Sequence, residues 1–158
     1  MIAREIQNVA NLQVVGTPSV TGRSQTGINQ DTNVDYGLDD TEVVEAGAAY
    51  VLKKTMTFWG LDASHPLDRS IIRFWGSSGG ANIYVKVTVE SDTVAETVED
   101  EEIESDAAIH LISKLWSQLY YGTYVTVRLY LKTANAGNVA HCDIFDIIGI
   151  LTTWVAYD

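Results

Sequence analysis

A chain of 158 residues, 46% hydrophobic and 20% charged, has the size and composition of one globular domain, able to bury roughly 70% of its unfolded surface. Its net charge of −11 comes from 21 acids against 10 scattered bases, which excludes a surface built for phosphate backbones, since that needs clustered Lys and Arg. The single Cys142 excludes an internal disulfide framework. No apolar run reaches the roughly 18 residues of a membrane-spanning helix, and the longest, "IFDIIGILTTWVAY", carries Asp146.

In chain order, "MIAREIQNVANL" places Ile2, Ile6 and Val9 at helical spacing, a hint of a short helix. It also has an acid and amides where an export signal needs an apolar stretch, so no such signal is expected. Residues 16–41 follow, rich in Gly, Thr, Ser, Asn, Gln and Asp, with isolated apolar residues Val20, Ile28, Val34 and Tyr36. A segment this poor in apolar residues does not offset its own ordering entropy, about 1–2 kcal/mol per residue. When ordered it must lie along a groove or a sheet edge, anchored by those four side chains, on its own domain or on a neighbour. We therefore divide the chain into an extended N-terminal arm, 1–41, and a domain, 42–158.

From "TEVVEAGAAYVL" onward strand-like runs alternate with turn signals. "YVLKKTMTFWG" ends at Gly60 and "RSIIRFWGSSGG" at a Gly/Ser cluster. "ANIYVKVTVES" sets Ile83, Val85, Val87 and Val89 on one face, and "TYVTVRLYLKT" does the same with Val125, Val127, Leu129 and Leu131. A period of two with one apolar face marks half-buried antiparallel strands. "NAGN" supplies a turn, and the apolar tail from Val139 reads as a central strand or two with a bulge or bend at Gly149.

Two segments stand apart. Residues 90–106 hold nine of the acids and no base, and Val94, Val98 and Ile103 interrupt them. This pattern suits an edge hairpin whose charges discourage edge-to-edge pairing. In "SDAAIHLISKLWSQLYYG", Ala108, Ile109, Ile112, Leu115, Trp116 and Leu119 fall at amphipathic-helix spacing, with Ser105 as N-cap and Gly122 past the end, which predicts one short helix.

Little in the chain promises catalysis. There is no GxSxG or HExxH. His141 and Cys142 are adjacent, and neighbours on a strand point to opposite faces, so they do not form a dyad. An enzyme would need paired carboxylates in a cleft, and we expect none. Trp59 and Trp75, in the repeated Phe-Trp-Gly, each end a strand, so a shared sugar platform is disfavoured against interface anchoring.

"VEAGAAYVLKKTMTFWG", then Trp116 in "LWSQL", then "VTVRLYLKTANAGNVAHCDIFDIIGI" resembles jelly-roll modules of the carbohydrate-binding type, also used in phage structural proteins. The likeness runs from residue 44 to 150, with the arm replacing the usual first strands. It implies an all-β, jelly-roll-like antiparallel sandwich, here with one short helix and an extended arm. It also implies a structural Ca²⁺ at Asp143, with Asp146 as the alternative; no other cofactor is expected. The function expected is that of a structural protein of a viral (phage) particle, a capsid decoration or minor head protein. It would be made in the host cytoplasm and reside in the virion, acting by homo-oligomerisation and by docking its arm on a shell protein. The alternative is a carbohydrate-binding module recognising glycans with exposed Trp or Tyr. Neither nucleic acid nor membrane is an expected partner.

Overall fold

The computed structural model describes residues 28–78, 81–134 and 137–155. Among these, nine strands run in order: β1 (Ile28–Asp39), β2 (Val43–Glu45), β3 (Val51–Leu61), β4 (Leu67–Gly76), β5 (Ile83–Ser91), β6 (Thr97–Glu104), β7 (His110–Tyr120), β8 (Gly122–Thr133) and β9 (Ala140–Val155). They form two antiparallel sheets. One has the order β1-β9-β4-β7, with β2 also paired to β9, and the other the order β3-β8-β5-β6. The chain divides into two compact units. One runs from Asp35 to Gly149 and contains the sandwich. The other takes in the residues outside those limits, of which 28–34 and 150–155 are described, as strand.

The sandwich follows from the alternation read in β5 and β8. Ile83, Val85, Val87 and Val89 oppose Thr133, Leu131, Leu129 and Val127 in register, and the apolar ones are fully buried. They meet Ile72 and Phe74 of β4 and Phe145 and Ile147 of β9 in one core. At one margin Lys54, itself buried, ties β3 to the end of β1. Its ammonium donates to the Asp39 carbonyl (2.9 Å), the Asp39 carboxylate (2.9 Å) and the Thr41 carbonyl (2.6 Å), so all three of its protons are used.

One expectation needs correcting. The helix over 105–122 does not form; residues 110–120 are strand β7, and no helix occurs among the described residues. The physical reason is that a spacing of four satisfies both periods. Ile112, Trp116 and Tyr120 are one helical turn apart, yet they also share strand parity, and all three face inward. The decision falls to pairing with β4, where Ile72 faces Ile112 and Ser70 faces Lys114. Beyond Leu115 the register slips: five steps of β7, Leu115 to Tyr120, pass two of β4, Arg69 to Leu67, in a wide irregular bulge.

The arm, expected to lie on its own domain or on a neighbour, is described in part. Val20 and residues 1–27 lie outside the described residues, but residues 28–39 are β1, a strand of the chain's own sheet. Val34 and Tyr36 are half-buried there. The Tyr36 ring packs edge-on against Phe58 at 6.2 Å, and its hydroxyl donates to the His65 carbonyl at 3.2 Å. A polar segment with sparse anchors suits strand addition, and this chain provides the receiving sheet itself.

Candidate functional site

β6 and β7 each end one of the two sheets and are joined by the short connection 105–109. The acidic strand reaches across to its neighbour. Glu99 accepts hydrogen bonds from the Ser117 amide (2.6 Å), the Ser117 hydroxyl (2.7 Å) and the Tyr120 hydroxyl. Asp100, buried, accepts from the Ser70 hydroxyl at 3.3 Å, and its other oxygen lies 3.5 Å from the Lys114 ammonium without a hydrogen bond. Lys114 pairs with Glu102, and His110 lies 3.2 Å from Glu104 and 2.7 Å from Asp106. These contacts close the gap between the sheets on this side. Burial nevertheless pushes the Asp100 carboxyl up, outweighing the lowering influence of the Lys114 ammonium and the Ser70 hydroxyl. It pushes the Tyr120 hydroxyl up to about 12, reinforced by the Glu99 carboxylate.

The outward side of β7 is the unusual surface of the molecule. On β8 the outward residues Thr126, Arg128, Tyr130 and Lys132 are polar or amphipathic, as a sheet facing water requires. On β7, Leu111 and Leu115 are 65% and 67% exposed, Ile109 just before the strand is 64% exposed, and Leu119 in the bulge 47%. Among the described residues β7 pairs only with β4, so its other edge is open. An open strand edge beside large exposed aliphatic side chains is the pattern of an association surface. The sequence pattern puts Ile109, Leu115 and Leu119 on the apolar stripe of a helix; only the strand's parity turns them, together with Leu111, outward.

The other expected site residues are dispersed. Trp59 and Trp75 stand in different sheets. Trp59 is 71% exposed and packs at 6.1 Å on Tyr124, while Trp75 stacks on His141 at 5.1 Å with the rings 7° from parallel. They share no platform, and the cause is their separation into two sheets rather than their places along one hairpin. Asp143 is held by Arg73 through two hydrogen bonds of 2.9 and 2.6 Å, which keep its carboxyl below the usual range. Asp146 is pushed up to about 6 by burial and by hydrogen bonding to Asp35, and its Oδ1 has no partner. The two expected calcium ligands are thus committed to different neighbours. Glu104, Asp106 and His110 bring one ligand atom each within 4.8 Å of one another and are the described residues whose chemistry suits a metal ion; in this structure the His110 ring nitrogen hydrogen-bonds Asp106 and lies 3.2 Å from Glu104. Cys142 is fully buried, its thiol is pushed up to about 12 by burial, and His141 points outward to Glu42, 3.0 Å away.

No family model matches the chain, and no curated protein does. Among solved structures it is similar to dimeric latent PorU from Porphyromonas gingivalis, with a TM-score of 0.45 and 9% identity over 85% of this chain and 14% of that one. It is also similar to a structure of the Gx strain of infectious bursal disease virus, with a TM-score of 0.39 and 9% identity over 89% of this chain and 45% of that one. The VP2 subviral particle of infectious bursal disease virus gives 0.33 and 7%, over 89% and 46%. The chain thus spans less than half the length of each of these proteins. Viral capsid proteins are among the neighbours, but likenesses this weak establish neither family nor function.

Proposed function

We propose that the chain is a structural, non-enzymatic subunit that associates with copies of itself through the open edge of β7, as a component of a viral particle. The observation that carries this is the row of exposed aliphatic side chains on an unpaired strand edge. β7 is nearly self-complementary about Ser113. In an antiparallel pair of β7 strands related by a two-fold axis there, Leu111 of one copy lies opposite Leu115 of the other, twice over. Such pairs, buried on both sides, supply the apolar centre of an isologous interface.

The viral assignment draws support from strand order. The first strand lies beside the last, and the orders β1-β9-β4-β7 and β3-β8-β5-β6 support reading the two sheets as an eight-stranded jelly roll with β2 as an addition. Jelly rolls serve viral shells and lectins alike, so strand order narrows the role without fixing it. Capsid decoration, a phage host and docking of residues 1–27 on a shell protein are the finer parts of this proposal.

Light scattering on the wild type and on a Leu111→Asp/Leu115→Asp variant tests it. The wild type should give a multiple of the 17.4 kDa chain mass, and the variant one chain mass with an unchanged melting curve, because both side chains are already in water. A wild type of one chain mass at high micromolar concentration would count against the proposal.

A second reading, carbohydrate recognition, is favoured by aromatic side chains on the outer face of the β3-β8-β5-β6 sheet, where Trp59 and Tyr124 lie together.

A further inference from the structure

The same outer face holds an arrangement that the motifs of the sequence do not announce. Six of the eight described lysines and arginines, Lys53, Lys54, Arg69, Arg73, Lys114 and Arg128, lie within ion-pair distance of a carboxylate. In a chain with twice as many acids as bases this is the expected state. Lys86 and Lys132 are the two that do not, and they stand together. Lys86 on β5 is opposite Tyr130 on β8, and Tyr84 on β5 is opposite Lys132 on β8, a chequerboard of two cations and two phenols. Tyr50, from the segment before β3, joins it. Both ammoniums lie 4.4 Å from the centroid of the Tyr50 ring, hence no more than twice that distance apart. Lys86 is also 4.7 Å from the Tyr130 ring, and Lys132 4.5 Å from the Tyr84 ring.

Cation–π contacts hold the ammoniums in place without neutralising them. Two carboxylates stand nearby: Glu101, opposite Lys86 on β6, accepts from the Tyr50 hydroxyl at 2.7 Å, and Glu96, which accepts from the Thr88 hydroxyl, is held below the usual range in part by Lys86. Two ammoniums and the hydroxyls of Tyr84 and Tyr130 leave a flat surface that offers donors and positive charge. Its complement is an extended ligand rich in acceptors and carrying negative charge, with apolar faces to lie on phenol rings. We propose that Tyr50, Tyr84, Lys86, Tyr130 and Lys132 form a binding face for an acidic oligosaccharide, whose carboxylate or sulfate groups pair with the two ammoniums. The proposal rests on the second reading above and names its ligand class. It is independent of the β7 edge, which belongs to the other sheet.

The test is calorimetric titration of untagged full-length protein at low salt with three probes: a sulfated heparin hexasaccharide, hexagalacturonate and neutral maltohexaose. One or both acidic sugars should bind, the neutral one much more weakly, and which acid binds identifies sulfate or carboxylate as the group recognised. Lys86→Gln/Lys132→Gln should weaken binding about tenfold or more with an unchanged melting curve. Lys53→Gln, whose ammonium is paired with Glu45, should bind like the parent. Equal binding by the double variant overturns the proposal. Binding of the neutral sugar as tightly as the acidic ones overturns it too, while leaving carbohydrate recognition in place. If no probe binds, the proposal fails and so does the second reading.

Discussion

At the scale of single residues, side chains that look unremarkable in sequence hold the sheets together. Gly149 was legible as a position where the strand bends, but the reason is close approach. A Cβ there would lie 2.3 Å from the Pro66 carbonyl oxygen and 2.5 Å from the Tyr36 ring. Gly149→Ala should therefore cost roughly 1–3 kcal/mol, measured by chemical denaturation, with Tyr36 displaced from its place against Phe58. Asp146 gives a signed pH effect. Its folded pKa, about 6, stands above the ordinary carboxylate value, so the folded state holds the proton more tightly than the unfolded one. Its ionisation then removes stability as pH rises from about 4 to about 6. Asp146→Asn should raise the melting temperature at pH 8 and have little effect at pH 3.5; a melting gain equal at both pH values would contradict the assignment. Asn138 shows what sequence could not reveal. "NAGN" reads as a turn, yet the buried Asn138 carboxamide accepts from Ser77, Ser78 and Val139 and donates to the Ala81 carbonyl, joining two connections far apart in the chain.

At the scale of elements, β5 and β8 were readable because one face of each is wholly aliphatic and the other is not, a signal that needs no partner to interpret. β7 was not, because its inward residues are four apart and fit helix and strand alike; the choice lies in β4, some forty residues earlier. β1 was legible only as an arm lying on its own domain or on a neighbour, since Val34, Tyr36 and Leu38 alternate with Asp35, Gly37 and Asp39 but polar Gln30 and Thr32 interrupt that parity, and its place is set by β9 at the other end of the chain. The acidic strand was legible as an edge, but not its contacts with Ser117, Lys114 and His110, which depend on the sheets' packing. Those contacts make an element-scale prediction. Glu99→Gln retains an acceptor for Tyr120 but loses the charge that two Ser117 donors and the phenol share. It should destabilise by about 1–2 kcal/mol, whereas Glu101→Gln, which faces the opposite surface, should lower stability much less in the same denaturation assay.

At the scale of the whole molecule, shape and charge act in opposite directions on assembly. The β7 edge draws copies together, while a formal charge of −11 per chain, with nine of the acids in residues 90–106, the segment that includes β6, pushes them apart. Salt screens the second effect within about 10 Å at 0.1 M and leaves the apolar contact intact. Sedimentation equilibrium should show association strengthening from 20 to 500 mM NaCl; weakening would mean that the interface is made of ion pairs. The most direct measurement uses the predicted dyad. Ser113→Cys places a thiol where two copies meet, and the native Cys142 is buried and inert, so a disulfide formed under mild oxidant reports on position 113 alone. A disulfide-linked dimer should form in high yield, and its formation should be lost when Leu111→Asp and Leu115→Asp are added. A chain that stays uncrosslinked, or crosslinks equally with those leucines replaced, would contradict assembly through β7.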